Sequence, residues 1–121
     1  MLRCVIIGIV IGAVAELGAR WLQLWVYKRP HYPIVNVVAV FGIIMGSIAA
    51  LVPSLGIALA FVIAFAVGLL CEIVNLTQLH WWSFPGERVA FIHGHAAIVV
   101  AIALLWGFVP LLIVAVQAVA F

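Results

Sequence analysis

Apolar residues run almost without a break through four stretches of the chain, at about residues 2–27, 34–52, 57–82 and 88–118. Each is close to or above the roughly 20 residues a helix needs to cross a bilayer. Short segments that cannot continue a helix separate them. The first is Lys28-Arg29-Pro30-His31-Tyr32-Pro33, the second Pro53-Ser54-Leu55-Gly56, and the third Ser83-Phe84-Pro85-Gly86-Glu87. Proline lacks the helical N–H, and glycine and clustered polar residues favour turns. The pattern predicts four membrane-spanning helices, the last starting at Arg88 or Val89 and kinked or divided at Pro110. The expected fold class is all-α: a polytopic membrane protein of two helical hairpins in a single four-helix domain, residues 1–121. Merging residues 37–71 into one helix is disfavoured by Pro53, by Gly56 and by a length well beyond one bilayer.

Composition supports the membrane reading. The 121 residues are 70% hydrophobic and 7% charged, with a mean hydropathy of +1.49. Soluble domains carry about 25% charged residues, so no soluble core accounts for this chain. The net charge of +2 is small and its carriers are scattered, which argues against nucleic acid as a partner. Cys4 and Cys71 stand alone in apolar runs and form neither a disulfide framework nor a metal-binding pair by spacing. The opening Met1-Leu2-Arg3 and its apolar run imitate a signal peptide. The run reaches Glu16 through Gly8, Gly12 and Ala15 with no clean cleavage site, so it reads as a retained first helix.

Aromatic residues mark the boundaries. Trp21, Trp25 and Tyr27 precede the first turn, and Trp81 and Trp82 precede the third. They read as an interfacial belt on one membrane side, with both termini and the Pro53 turn on the other. Lys28, Arg29 and Arg88 on the belt side outnumber Arg3, so the positive-inside rule predicts cytoplasmic turns at 28–33 and 83–88. The expected location is a prokaryotic inner (plasma) membrane. Glu16 lies 37 residues before Pro53 and Glu72 lies 38 before Pro110, which suggests two hairpins related as a parallel internal repeat.

Small residues at helical spacing predict close helix contacts: Gly8, Gly12, Ala15 and Ala19; Gly42 and Gly46; Ala90, Gly94, Ala97 and Ala101. The polar residues within the spans carry the candidate chemistry. Glu16, Arg20, Gln23 and Tyr27 follow steps of four, three and four and share one helix face, where Glu16 and Arg20 can pair. Glu72 and Asn75 share a face that Gln78 leaves. Continuous helices would put both acids at matched depth near mid-bilayer. Glu72 has no cation on its own helix, and burying a lone charge is costly, so it is expected to be neutral. His93 and His95 are two apart and face opposite sides of a helix, so they cannot share one ion from it. No metal site and no cofactor is predicted, and no catalytic residue is assigned.

Glu72, Glu16, Arg20, Asn75, His93 and His95 are therefore the candidates for a polar core or a transport path, because ionisable residues in lipid face an interior, a cavity or a partner. Three functions compete. The first is a small structural or accessory subunit of an oligomeric membrane complex, a homo-oligomer or one with other membrane subunits. The second is an oligomeric proton-coupled transporter or ion channel using the carboxylates. In size and helix number the chain is similar to the small multidrug-resistance exporters, which also place an acid in their first helix; the likeness is architectural. The third is a membrane enzyme or cofactor-binding protein with Glu72 or a histidine as acid–base group.

Overall fold

The computed structural model describes residues 1–28 and 34–121, with Ile34 by its backbone alone. Four helices dominate: α1 (Leu2–Trp21), α2 (Ile34–Leu55), α3 (Ile57–Val74) and α4 (His95–Ala120). All four are long and apolar enough to cross a membrane, the third when counted through Leu79. The 20 residues of α1 extend about 30 Å, the thickness of the hydrocarbon core. The large side chains left outside are apolar, such as Ile6, Val10 and Val14 on α1, Val62 and Leu70 on α3, and Leu105, Phe108 and Leu112 on α4. Lipid is the solvent for that surface, and the chain is an integral-membrane protein.

The inward faces follow helical spacing. Cys4, Gly8, Gly12, Glu16 and Ala19 are buried along α1. Ala60, Ala64, Gly68 and Glu72 are buried along α3, and Asn75 continues that line. The most extensive helix contacts are α1 with α2 and α3 with α4. Between α1 and α2 the backbones touch: a Cβ on Gly42 would lie 2.7 Å from the Ile9 amide nitrogen, and one on Gly46 2.7 Å from that of Val5. Between α3 and α4 the glycines receive rings instead, Gly68 taking Trp106 and Gly107 taking Phe61. The main core joins Cys4 and Ile7 to Met45, Ile48, Ala49, Val52, Ala60, Ala64 and Ile113.

The helix ends differ from those expected, and the causes are local. After Trp21 the chain leaves α1 through Gln23, at φ 52°, with the Leu24 N–H bonded to the Ala19 carbonyl at 2.9 Å. The first helix therefore omits Gln23, Trp25 and Tyr27. α3 widens into a π turn at Asn75–Leu79 and stops at His80, which is left-handed with φ 50° and ψ 38°. The His80 N–H closes that turn on the Asn75 carbonyl at 2.7 Å. Trp81 and Trp82 are thus outside the helix. Both terminating bonds span five residues, one more than an α-helix uses.

The freed segments pair as short strands. β1 (Val26–Tyr27) and β2 (Trp82–Ser83) run antiparallel, with Val26 opposite Ser83 and Tyr27 opposite Trp82. A 3₁₀ turn at Pro85–Glu87 leads into β3 (Arg88–Val89), which pairs antiparallel with β4 (Ile92–His93). Gly94, at φ 87°, precedes α4. The fourth helix therefore begins at His95, and Ala90 and Gly94 of the expected small-residue stripe fall outside it, while Ala97 is exposed. α2 runs past Val52 and carries Pro53 in its last turn, leaving Gly56 alone, at φ 81°, to separate α2 from α3. α4 continues through Pro110 to Ala120 without division. The expected turn at residues 29–33 lies outside the described residues.

Candidate functional site

The polar interior is built where α1 and α3 end, beneath the β1–β2 ribbon. Burial on α1 places Glu16 inward at 6% exposure. The Nε of Arg20, one turn further, donates to Glu16 Oε1 at 3.1 Å. The guanidinium carbon of Arg20 lies 4.8 Å from the centre of the Tyr27 ring, a cation–π distance. Tyr27 reaches this place from β1, where its hydroxyl donates to the Glu16 carboxylate. Burial pushes the Tyr27 phenol well above its ordinary value, the bond to and charge of Glu16 push the same way, and Trp25 and Arg20 oppose them. Arg20 Nη2 is buried and has no hydrogen-bond partner among the described residues.

The second half of the centre belongs to α3. Glu72 is 3% exposed, and its Oε2 accepts from the indole Nε1 of Trp82 at 3.2 Å. Asn75, fully buried, holds the chain that carries this indole. Its Oδ1 accepts from the backbone N–H groups of Trp81 and Trp82 at 2.9 and 3.1 Å, and its Nδ2 donates to the Trp82 carbonyl at 3.0 Å. One side chain thus satisfies three backbone groups of a non-helical segment. The Tyr27 and Trp82 rings lie 6.2 Å apart and are tilted by 58°. The ribbon therefore joins the two acids through side chains: Glu16 and Arg20 to Tyr27, Tyr27 to Trp82, Trp82 to Glu72. Phe84, Ile98 and Ile102, with Trp25, Val89, Ile92 and Trp106 around them, form an apolar cluster at the same end.

Four of the six sequence candidates, Glu16, Arg20, Glu72 and Asn75, sit in this centre. The helices stop earlier than expected, so both acids lie nearer the helix ends than continuous helices would put them: Glu16 is about 8 Å from the end of α1 and Glu72 about 10 Å from Leu79, by helical rise. His93 and His95 are elsewhere. Both are exposed; His93 stands opposite Arg88 in the β3–β4 pair, and His95 Nδ1 is 3.7 Å from Glu87 Oε1. Their expected place on one helix does not hold because β4 and Gly94 precede α4. Gln23 and Gln78 are also exposed. Among the described residues no group of three or more His, Cys, Asp or Glu is arranged to hold a metal ion.

Sequence reasoning placed Trp82 in an interfacial belt and missed it as the partner of Glu72. The available signal was spacing: Tyr27 follows Glu16 by eleven residues, and Trp82 follows Glu72 by ten. Chemically, the centre offers two carboxylates in unlike settings. Glu16 faces a fixed cation and a phenol, while Glu72 has a single neutral donor among the described residues. Such a set can fasten helices or accept and release a proton. No protein-family model matches the chain, and no curated protein or solved structure matches it.

Proposed function

We propose that the chain is a small structural or accessory subunit of an oligomeric membrane complex, built as a single four-helix transmembrane domain. One observation carries the reading: every buried acid and amide of the polar interior is engaged in fastening the ribbon to the helix ends. Polar groups in lipid that serve as internal ties fix the shape of a bundle. The described residues leave little mass outside the membrane, so partners meet this protein mainly through lipid-facing helix surfaces. Purification in a mild detergent and in nanodiscs, with native mass spectrometry, tests this. The expected species is larger than the 13.1 kDa protomer; a uniform monomer in both media refutes it.

The two hairpins support a parallel repeat. A shift of 56 residues carries the buried stripe Cys4, Gly8, Gly12, Glu16, Ala19 onto Ala60, Ala64, Gly68, Glu72, Asn75. The same shift carries the five-residue bond from Leu24 to Ala19 onto that from His80 to Asn75. It also turns the ribbon into a self-complementary pair, since Val26 and Tyr27 become residues 82 and 83 and each pairs with the other's equivalent. An antiparallel pair has a local two-fold between its strands, as a repeat axis along the membrane normal requires. For α2 and α4 the shift is 61: Gly46 against Val5 becomes Gly107 against Phe61. The match of Pro53 to Pro110 is then not the structural one, and the five extra residues belong to the segment containing β3 and β4.

The transporter reading keeps one specific support, the unlike settings of two acids related by that shift: Glu16 pairs with Arg20, while Glu72 has no charged partner among the described residues. Proton-coupled flux in liposomes separates it. Loss of flux in Glu72→Gln favours transport, and no flux in the parent protein or unchanged flux in both Glu72→Gln and Glu16→Gln removes it. The positive-inside excess of Lys28, Arg29 and Arg88 over Arg3 supports a cytoplasmic ribbon.

A further inference from the structure

The end of the bundle opposite the ribbon holds a second polar place. α1 begins there, α2 and α4 end there, and between them lies an open cavity of about 440 Å³, within the ~300–1,000 Å³ of small-ligand sites. Its apolar wall is Ala49, Ala50, Pro53, Val114 and Ala118, and its polar side chains are Arg3, Cys4 and Gln117. The Cys4 thiol, 3% exposed, donates to Gln117 Oε1 at 2.9 Å. With the amide oxygen accepting from the thiol, the Gln117 NH₂ is left as a donor. That NH₂ donates no hydrogen bond to any of the described residues. The Arg3 guanidinium carbon lies 5.0 Å from the centre of the Phe121 ring, and among the described residues its N–H donors carry no ion pair. Pro53 has no N–H for the Ala49 carbonyl, which loses its usual helical donor on the cavity wall.

A cation and an unfilled amide donor thus stand at the rim of an apolar groove, at the edge of a lipid-embedded bundle. Their complement is an anion joined to an apolar chain. We propose that this cavity binds an anionic phospholipid. Arg3 and the Gln117 amide hold the phosphate, because guanidinium and amide N–H groups are donors only. The acyl chain lies along Ala49, Ala50 and Val114, continuous with the lipid around the bundle. Cys4 is a positioning residue that acts through Gln117. Zwitterionic lipids carry the same phosphate with a compensating ammonium, so Arg3 selects against them.

Native mass spectrometry of the purified protein in mild detergent tests this, with titrations of phosphatidylglycerol, phosphatidylcholine and inorganic phosphate. Phosphatidylglycerol is expected to bind at least tenfold more tightly than phosphatidylcholine. Arg3→Gln should weaken it about tenfold and Gln117→Leu about fivefold, by the usual worth of charged and neutral hydrogen bonds. Cys4→Ser keeps a donor to Gln117 and retains binding, whereas Cys4→Ala weakens it. Ala118→Phe, at an exposed position, fills the groove and abolishes it. Arg88→Gln, at the opposite end, leaves it unchanged. The proposal is overturned by unchanged binding in Arg3→Gln, by equal binding of phosphatidylcholine, or by an equal loss in Arg88→Gln. It is also overturned if inorganic phosphate alone displaces the lipid, which marks a site for the free anion.

Discussion

Replacing Asn75 by alanine tests how far the ribbon depends on a single side chain. The amide makes three hydrogen bonds, to Trp81 N–H, Trp82 N–H and Trp82 C=O, from a fully buried position. Alanine leaves those three backbone groups without partners. A buried group left unpaired costs about 1–3 kcal/mol. Trp81 is 44% exposed, so its amide regains water and counts at the low end, about 1 kcal/mol. The two Trp82 groups belong to the half-buried β2 residue and count about 1.5 kcal/mol each, for a total near 4 kcal/mol. The Thr77 hydroxyl, by contrast, donates to the Ile73 carbonyl on an exposed turn, so Thr77→Val should change stability by less than ~0.5 kcal/mol.

Two measurements read the effect. Titration with a denaturing detergent, followed by tryptophan fluorescence, gives the loss of stability. Hydrogen exchange gives its location: the amides of Lys28 and Trp82, one bonded to Trp81 across the ribbon and the other to Asn75, should exchange about a hundredfold faster or more. Amides near Val5 and Ile9, where α1 meets Gly42 and Gly46, should keep their protection. The reasoning is refuted if Asn75→Ala matches Thr77→Val in stability. It is refuted equally if ribbon and helix amides lose protection together, which would make Asn75 a general core residue and not a tie.

Other substitutions probe the remaining contacts. Gly42→Ala sets a methyl 2.7 Å from the Ile9 amide nitrogen, so α1 and α2 must separate at a cost of about 1–3 kcal/mol; Gly18→Ala, with no atom within 4 Å, should be neutral or stabilising by up to ~1 kcal/mol. A double-mutant cycle of Glu72→Leu and Trp82→Phe should give a coupling of about 1–2 kcal/mol for their hydrogen bond, and a coupling near zero would show that the indole and the carboxylate act independently. Tyr27 supplies the pH dependence. Its folded-state value is raised, mainly by burial, above the ordinary 10.0, so its contribution is complete below pH ~10 and is lost as pH rises beyond that. Tyr27→Phe should lower stability at neutral pH and flatten the alkaline part of the unfolding curve, and an identical alkaline slope in both proteins would contradict the burial argument.

The spans and the buried acids were legible in the sequence because they depend on density and period. Steps of four carry Ala60, Ala64, Gly68 and Glu72 onto one face, and that arithmetic needs no tertiary knowledge. The ends of α1 and α3 were not legible. Neither glycine nor proline stops them; Gln23 and His80 do, both at positive φ, which few non-glycine residues adopt. Those conformations persist because distant groups reward them, β1 meeting β2 across 55 residues and Asn75 collecting the amides of Trp81 and Trp82. No window of local sequence contains the β1–β2 partner, and although Asn75 lies only six and seven residues before Trp81 and Trp82, helical periodicity gives no sign that its amide caps them. Only Gly86 and Gly94, which bracket β3 and β4, gave a local hint that α4 starts late.

The position of the acids follows from a backbone requirement. Chain that leaves a helix near hydrocarbon must satisfy its N–H and C=O groups internally, since an unpaired one costs several kcal/mol there. At this end of the bundle the donors and acceptors come from β1–β2 pairing and from Asn75, and the indole freed by that geometry needs an acceptor in turn. Glu72 provides it, as Glu16 does for Arg20 and Tyr27. On this view the carboxylates are where they are because the ribbon is, and removing the ribbon's need should remove theirs. Glu72→Gln keeps an acceptor for Trp82 and should cost less than ~1 kcal/mol, whereas Glu72→Leu strands the indole and should cost about 1–3 kcal/mol. A glutamine variant as unstable as the leucine one would show that the charge itself, and not an acceptor, is what this site requires.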